Sequence, residues 1–289
     1  MLECVINISE GQNISSLQQI AAAGGNSICD IHKDSLHNRS VFTLLGSDIF
    51  ENAKNITKKA VELLDITTHA GLHPRFGVVD VVPFVPFTPG ELKPQSLREA
   101  IDCRNSFVEW AKCNLELPCI TYEPERSLPE TRKILTRSIS DLRPHPTAGI
   151  TCVGARQLLV AYNIYIGKGS GAKAKEIAAL IRCASIRSLG FSLDGEGQVS
   201  CNLINLSDAG PQEVYNLVSK YTQITRTELV GLAPMALLDK PYDKESLDLA
   251  YEKSLEYRLT LTAKERSQLI TSLLEKKELS HTTERLPLT

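Results

Sequence analysis

The sequence predicts a mixed α/β fold in two parts, and three observations carry that expectation. Short alternating or β-branched runs recur between stretches whose apolar residues repeat with a helical period. The 289 residues suffice for a full core and for one large or two modest domains. Residues 140–149 contain Pro144 and Pro146, which bar regular structure, and mixed strand and helix patterning stands on both sides of them. A first domain over 1–150 and a second over 151–289, ending in a helical C-terminal tail, are therefore expected.

The elements follow in order. Residues 2 to 7 alternate as a strand, the Ser9-Glu10-Gly11 turn follows, and a helix over about 13–23 ends at Gly24-Gly25. Ile28 to Ile31 and Ser40 to Leu45 read as strands joined by the polar turn His32 to Arg39. From Asp48 to Leu64, Ile49, Ala53, Ile56, Ala60, Val61 and Leu64 keep a helical period. The apolar run Val78 to Phe87 is a strand whose Pro83 and Pro86 place it at a sheet edge or shorten it. Ser96-Leu97-Arg98-Glu99 reads as a capping box opening a helix to about 114, and Pro118 to Tyr122 as a strand.

Beyond the proline-rich stretch, Ala155 to Ile166 reads as a strand and Gly171 to Ala184 as a helix. Strands over 186–193 and 198–205 flank a hairpin turn at Asp194-Gly195-Glu196-Gly197. A helix near 211–221 and a strand near 226–232 come next. Past Asp243 the chain is helical and charged, with a capping box at Thr262-Ala263-Lys264-Glu265, and the last ten residues are expected to fray.

Composition excludes several classes. Apolar residues make up 42% and charged residues 23% of the chain, the balance of an ordinary globular protein. A formal net charge of -2 offers no general phosphate-neutralising surface, so no nucleic-acid partner is expected. The N-terminus lacks the basic region of a secretory signal, and no apolar run approaches the ~20 residues that span a bilayer. A soluble, cytoplasmic protein with no membrane partner is the expectation. The eight cysteines form no C-x-x-C pair and read as reduced, mostly buried thiols.

The chemistry concentrates in His69-Ala70-Gly71-Leu72-His73-Pro74-Arg75-Phe76-Gly77. Pro74 biases His73 toward extended backbone, and in an extended segment His73 and Arg75 share a face, so a proton-transfer imidazole would stand beside a fixed cation. His73 is the candidate general base and acid. Asn38, Arg39 and Arg156 lie next to predicted strands, and Arg39, Arg75 and Arg156 are candidates for bidentate carboxylate binding. His32, His37, His69 and His73 could suggest a metal site, but His69 and His73 span Gly71 and precede Pro74, which leaves no helix to present them as a ligand pair, and no metal is expected. Gly167-Lys168-Gly169-Ser170-Gly171-Ala172-Lys173-Ala174 misses the phosphate-loop pattern at Ala172 and Ala174. No nucleophile elbow is present, which leaves covalent catalysis without a motif.

Several longer motifs, taken together and in order, resemble the glutamate formimidoyltransferase family. They are Asn7-x-Ser9-Glu10-Gly11, His37 to Thr43, His69-x-Gly71-x-His73-Pro74-Arg75-x-Gly77 and Asp80 to Pro86. In the second half they are His145 to Gly149, Val153 to Arg156, Ala161 to Asn163, Gly197 to Leu203 and Glu228 to Pro234. The resemblance covers roughly residues 2–240. It implies two α/β subdomains whose sheets face each other across a ligand groove, folate bound in that groove, and a homodimer. It implies transfer of a formimidoyl group from N-formimidoyl-L-glutamate to N5 of tetrahydrofolate, with tetrahydrofolate as cosubstrate and no metal.

On the same resemblance His73 is the catalytic residue, and the folate-contacting loop is Arg143, Pro144, His145, Pro146, Thr147, Ala148 and Gly149. Asn38, Arg39, Arg75, Gly77 and Arg156 complete the expected binding set. Three features depart from the family: Ile6 stands where proline is usual, His32 stands where an acidic residue is common, and the segment before Pro144 is short. Formyl transfer between 5-formyltetrahydrofolate and glutamate, and a folate-binding homologue with impaired catalysis, are the competing readings.

Overall fold

A computed structural model describes residues 1–72, 74–239, 243 and 247–276. Two sheets organise it. The first has six strands in the order β2-β3-β1-β4-β6-β5, with β1 Leu2–Ile8, β2 Ile28–Asp34, β3 Arg39–Leu45, β4 Val79–Pro86, β5 Cys119–Tyr122 and β6 Thr151–Ala155. The second has four, in the order β10-β7-β9-β8, with β7 Val160–Lys168, β8 Ile186–Leu193, β9 Glu196–Leu203 and β10 Arg226–Val230. The mixed α/β class read from the sequence holds.

Each sheet buries one face under helices. On the first, α1 Ile14–Ala23, α2 Ile49–Leu63 and α3 Arg98–Leu115 pack on Cys4, Ile6, Ile8, Phe42, Leu44 and Phe84. These strand residues keep the period of two that puts them on one side of the pleat. Phe84, Phe107 and Trp110 stack in series, with ring centroids 5.9 and 5.3 Å apart, each such pair adding about 0.5–1.5 kcal/mol to plain burial. On the second sheet α5 Gly171–Leu180 and α6 Pro211–Ser219 cover Val160, Tyr162, Ile164, Val199, Cys201 and Leu203.

The opposite faces meet. His32 of β2 lies 3.6 Å from Glu228 of β10, and His37, in the β2–β3 turn, lies 3.2 Å from Gln198 of β9. Where β3 and β4 end, Leu45 and Phe87 from the first sheet join Leu232 and Leu255 in an apolar cluster between the sheets. Leu255 belongs to α8 Leu255–Thr260, whose Arg258 reaches back to the Cys29 carbonyl at 3.0 Å. The layer between the sheets is thus apolar at one end and polar at the other.

Several sequence expectations change. β4 lies in the middle of the first sheet, not at its edge: its ladder with β1 runs from Leu2↔Pro86 to Cys4↔Phe84 and resumes at Asn7↔Val81. The break falls at Pro83, which has no N–H to give, so an interior strand tolerates it. The strand expected from Ala155 to Ile166 starts later, as β7 in the second sheet, and is preceded by β6, which no periodicity predicts and which pairs in parallel with β4 and β5. The passage between sheets therefore runs over residues 156–159, past the expected division at 150.

The C-terminal helix α9, Ala263–Glu275, opens with the expected capping box at Thr262 and Glu265. It packs on β2 and α1 with Ile270 and Leu274 in the first sheet's core, so this part of the tail belongs to the first sheet's side. The Ser96–Glu99 box does not form: α3 starts at Arg98 after Leu97, without a side-chain cap. A helix outside the periodic reading, α4 Leu128–Ser138, begins with a capping box of Ser127 and Glu130. The Asp194-Gly195 turn holds both residues at positive φ, as a two-residue hairpin requires. The expected fraying of the last ten residues lies outside the described residues. Of the eight cysteines, all free thiols, four are buried and Cys113 and Cys183 are exposed.

Candidate functional site

Four sequence-distant segments converge where β4 and β6 begin. Gly77 and Gly149 pair in an antiparallel bridge, flanked by Val78 N–H to the Ala148 carbonyl at 2.9 Å and Ile150 N–H to the Phe76 carbonyl at 2.9 Å. Both glycines are obligatory here. A Cβ on Gly77 would lie 2.5 Å from the Ile150 carbonyl oxygen, and one on Gly149, whose φ is +73°, would lie 2.2 Å from that of Phe76. Ser9 ties in the β1 end, its hydroxyl donating to the Gly77 carbonyl at 2.8 Å. The 69–77 stretch and the loop expected to contact folate are thereby one backbone unit.

That loop is a tight hairpin. His145 and Gly149 exchange both backbone hydrogen bonds at 3.0 Å, and His145 Nδ1 accepts from the amides of Thr147 and Ala148 at 3.3 and 3.0 Å. Arg143, Pro144, Pro146 and Thr147 are exposed around it, while Ala148 and Gly149 are buried against residues 76–78.

Asn38 links the remaining segments. Its φ is +46°, a left-handed conformation that Asn tolerates. Its Oδ1 accepts from Gly11 N–H at 2.9 Å and its Nδ2 donates to the Ala70 carbonyl at 2.9 Å. His69 Nε2 donates to the Asn38 carbonyl at 2.9 Å and His69 Nδ1 accepts from Arg75 at 3.0 Å. A carbonyl can only accept and a guanidinium can only donate, so His69 sits as the neutral Nε2–H tautomer. Its pKa is accordingly pushed down, first by burial and then by Arg75. Arg75 also donates to the Gly71 carbonyl. It turns back over its own loop, held by His69.

His73 lies outside the described residues, so the shared face expected of His73 and Arg75 is not described. Its neighbours are anchored. Arg132 of α4 donates to the Pro74 carbonyl at 2.5 Å and pairs with the buried carboxylate of Asp80, which accepts from Phe76 N–H at 2.9 Å through its other oxygen. Burial pushes the Arg39 guanidinium down to about 10, opposed by Asp80 and assisted by Arg132. Arg132 thus pairs with Asp80, and the same carboxylate acts electrostatically on Arg39 and Arg75. A carboxylate ligand reaching these arginines would form charge-assisted hydrogen bonds worth roughly 1.5–3 kcal/mol each.

A polar chain enters from the second sheet. His37 Nε2 donates to Gln198, Gln198 donates to the Tyr165 hydroxyl at 2.7 Å, and that hydroxyl donates to Glu228 at 2.9 Å. Asn163 donates to the same Glu228 oxygen at 2.9 Å. Burial alone would raise the Glu228 pKa, but His32, Asn163 and Tyr165 together hold it below the usual carboxylate range. The unexpected His32 thus has an acidic partner on the facing sheet.

Arg156 stands apart from the other expected site residues. It follows β6 at the end opposite the Gly77–Gly149 bridge, with its amide on the Phe84 carbonyl at 3.2 Å, and it is 7% exposed. Conversely, Asp80, Arg132, Gln198 and Glu228 lie in or beside the cluster without having been singled out. Asp80 had a signal, a lone carboxylate inside an apolar strand. The start of α4 had one in its Ser127-x-x-Glu130 box. Among the described residues no group of three His, Cys, Asp or Glu side chains comes together as a metal ligand set, and no helix is long and apolar enough to cross a membrane.

Comparison with known proteins defines first the class. Residues 1–138 match the formiminotransferase domain, N-terminal subdomain, and together with the relatives that follow this makes the two-sheet protein a transferase. The chain is 32% identical to the glutamate formimidoyltransferase of Streptococcus pyogenes serotype M1, over 88% of this chain and 97% of that protein. It is 30% identical to the glutamate formimidoyltransferase of Thermoplasma acidophilum, over 83% of this chain and 90% of that one. Against the formimidoyltransferase-cyclodeaminase of Sus scrofa identity is 29%, covering 90% of this chain but 55% of that longer protein. The chain belongs to the glutamate formimidoyltransferase family.

Proposed function

We propose that this protein transfers a formimidoyl group from N-formimidoyl-L-glutamate to N5 of tetrahydrofolate, with His73 carrying the proton. The observation that supports this most is the Gly77–Gly149 bridge, which makes one unit of the His73 loop and the 143–149 hairpin, beside the arginines that share the field of Asp80. The chemistry asks for those parts. N5 attacks the formimidoyl carbon; the tetrahedral intermediate sheds the N5 proton, and the departing glutamate nitrogen gains one. A single imidazole next to both nitrogens serves as base and then as acid. Donor and folate tail both carry glutamate carboxylates, which call for cations, and Arg39 and Arg75 are the clamps in this reading.

In the same reading folate lies in a groove between the facing sheets, its pterin end toward residues 143–149, and the assembly is a cytoplasmic homodimer. Purified protein supplied with tetrahydrofolate and N-formimidoylglutamate should yield 5-formimidoyltetrahydrofolate and glutamate. Turnover with 5-formyltetrahydrofolate and glutamate alone would replace the reading with formyl transfer, and tight folate binding without turnover would replace it with a binding protein.

A further inference from the structure

We propose that Arg132 and Asp80 are a positioning pair for the transfer reaction, by which helix α4 fixes the backbone of Pro74 and Phe76 in the loop that carries the candidate catalytic residue. The kinetic consequences rest on the formimidoyl-transfer reading; the structural ones do not.

Two residues of the loop, Pro74 and Phe76, are held by this one pair. Asp80, 2% exposed near the start of β4, takes the Phe76 amide on one carboxylate oxygen at 2.9 Å and Arg132 on the other. Arg132 uses its second terminal nitrogen for the Pro74 carbonyl at 2.5 Å, and its guanidinium lies 5.9 Å from the centre of the Phe76 ring. Arg75, between them, is turned back to His69 and Gly71. The ring of Pro74 already fixes its φ. Anchoring its carbonyl restrains ψ of Pro74 as well.

The pair suits positioning better than plain stabilisation. A buried ion pair contributes little net stability compared with an apolar pair of the same volume. The two terminal nitrogens of a planar guanidinium, in contrast, reach two separated acceptors in one rigid geometry, which a single ammonium nitrogen does with less reach and less fixed direction. Asp80 is also within the field of Arg39, as the Arg39 pKa reports, so truncating Arg132 leaves the carboxylate a counter-charge. Misplacing a reacting group by about 1 Å costs on the order of a hundredfold in rate. Both terminal nitrogens of Arg132 are taken up by Pro74 and Asp80, so in this proposal it acts through the loop and its effect belongs in kcat.

The test compares wild type, Arg132→Gln and Arg132→Lys by steady-state kinetics, by amide hydrogen exchange of residues 74–78 and by melting temperature. Arg132→Gln is expected to lose roughly 30- to 100-fold in kcat with KM within about threefold, and its Phe76 amide to exchange faster. Millimolar guanidinium ion should restore part of that kcat, and Arg132→Lys should fall between the two. A kcat within twofold of wild type, or unchanged Phe76 protection, overturns the proposal. If Arg132→Gln does not fold, Arg132→Lys decides by the same readouts. If wild type turns over no donor, the functional reading fails alone, and the exchange data still decide the positioning role.

Discussion

The two ends of the first sheet are built on opposite principles. Where β4 begins, the chain spends its glycines on backbone bridges and its polar side chains on linking loops: Gly77 to Gly149, Asn38 to Gly11 and Ala70, His69 to Arg75. Where β4 ends, Leu45, Phe87, Leu232 and Leu255 close the space between the sheets, and Glu3 and Arg156 lie buried behind them at 4% and 7% exposure. The same sheet is a wall at one end and a frame at the other. The candidate site residues other than Arg156 belong to the frame.

The contrast can be broken most sharply with two glycines that face equal crowding. A Cβ at Gly149 would meet the Phe76 carbonyl at 2.2 Å, and one at Gly154 would meet the Tyr122 ring at 2.2 Å. Gly149→Ala also carries a φ of +73°, and both substitutions should lower unfolding free energy by about 2–4 kcal/mol in denaturant titration. At temperatures well below melting, only Gly149→Ala should depress turnover strongly. Equal loss of turnover in both variants would mean that the two ends do not differ in function.

Next in size is a pH effect at the closed end. Burial raises the Glu3 carboxyl to about 7, with Arg156 opposing the shift. Because the folded-state pKa lies above the unfolded one, this group's contribution is full below pH ~4.5 and is lost as pH rises through 7. The shift corresponds to roughly 3 kcal/mol across that window. Denaturation curves of wild type and Glu3→Gln should therefore differ in slope against pH between about 4.5 and 7. Parallel curves would remove Glu3 from the pH response.

The smallest effect is expected at His69. Replacing it with Ala removes the acceptor that holds Arg75, and KM for the glutamate-bearing donor should rise roughly five- to tenfold, the loss of about one charge-assisted hydrogen bond. Acidification should mimic the variant in wild type, because protonated His69 can no longer accept from Arg75. An unchanged KM would take Arg75 out of donor binding.

Much of this was legible in the sequence, for identifiable reasons. Periodicity located α1, α2 and the hairpin around Asp194-Gly195, since those signals are local. Pro83 misled because one missing N–H was weighed against a whole ladder, and the ladder with β1 simply skips that position. β6 escaped notice because Thr151–Ala155 runs almost directly into β7, and only pairing partners far along the chain separate the two. Asp80 and Arg132 are 52 residues apart, so no local pattern announces their pairing. The Gly77–Gly149 bridge belongs to the same class: each glycine reads as a turn until the fold brings in the other. The four segments that form the site were nonetheless among the quoted motifs.

The central claim is that His73 carries the proton for formimidoyl transfer, and the direct measurement is single-turnover transfer from N-formimidoylglutamate to tetrahydrofolate by His73→Asn beside wild type. The account predicts a loss of roughly a hundredfold or more in the rate, with folate affinity and melting temperature close to wild type. Transfer at a near-normal rate by His73→Asn would contradict it.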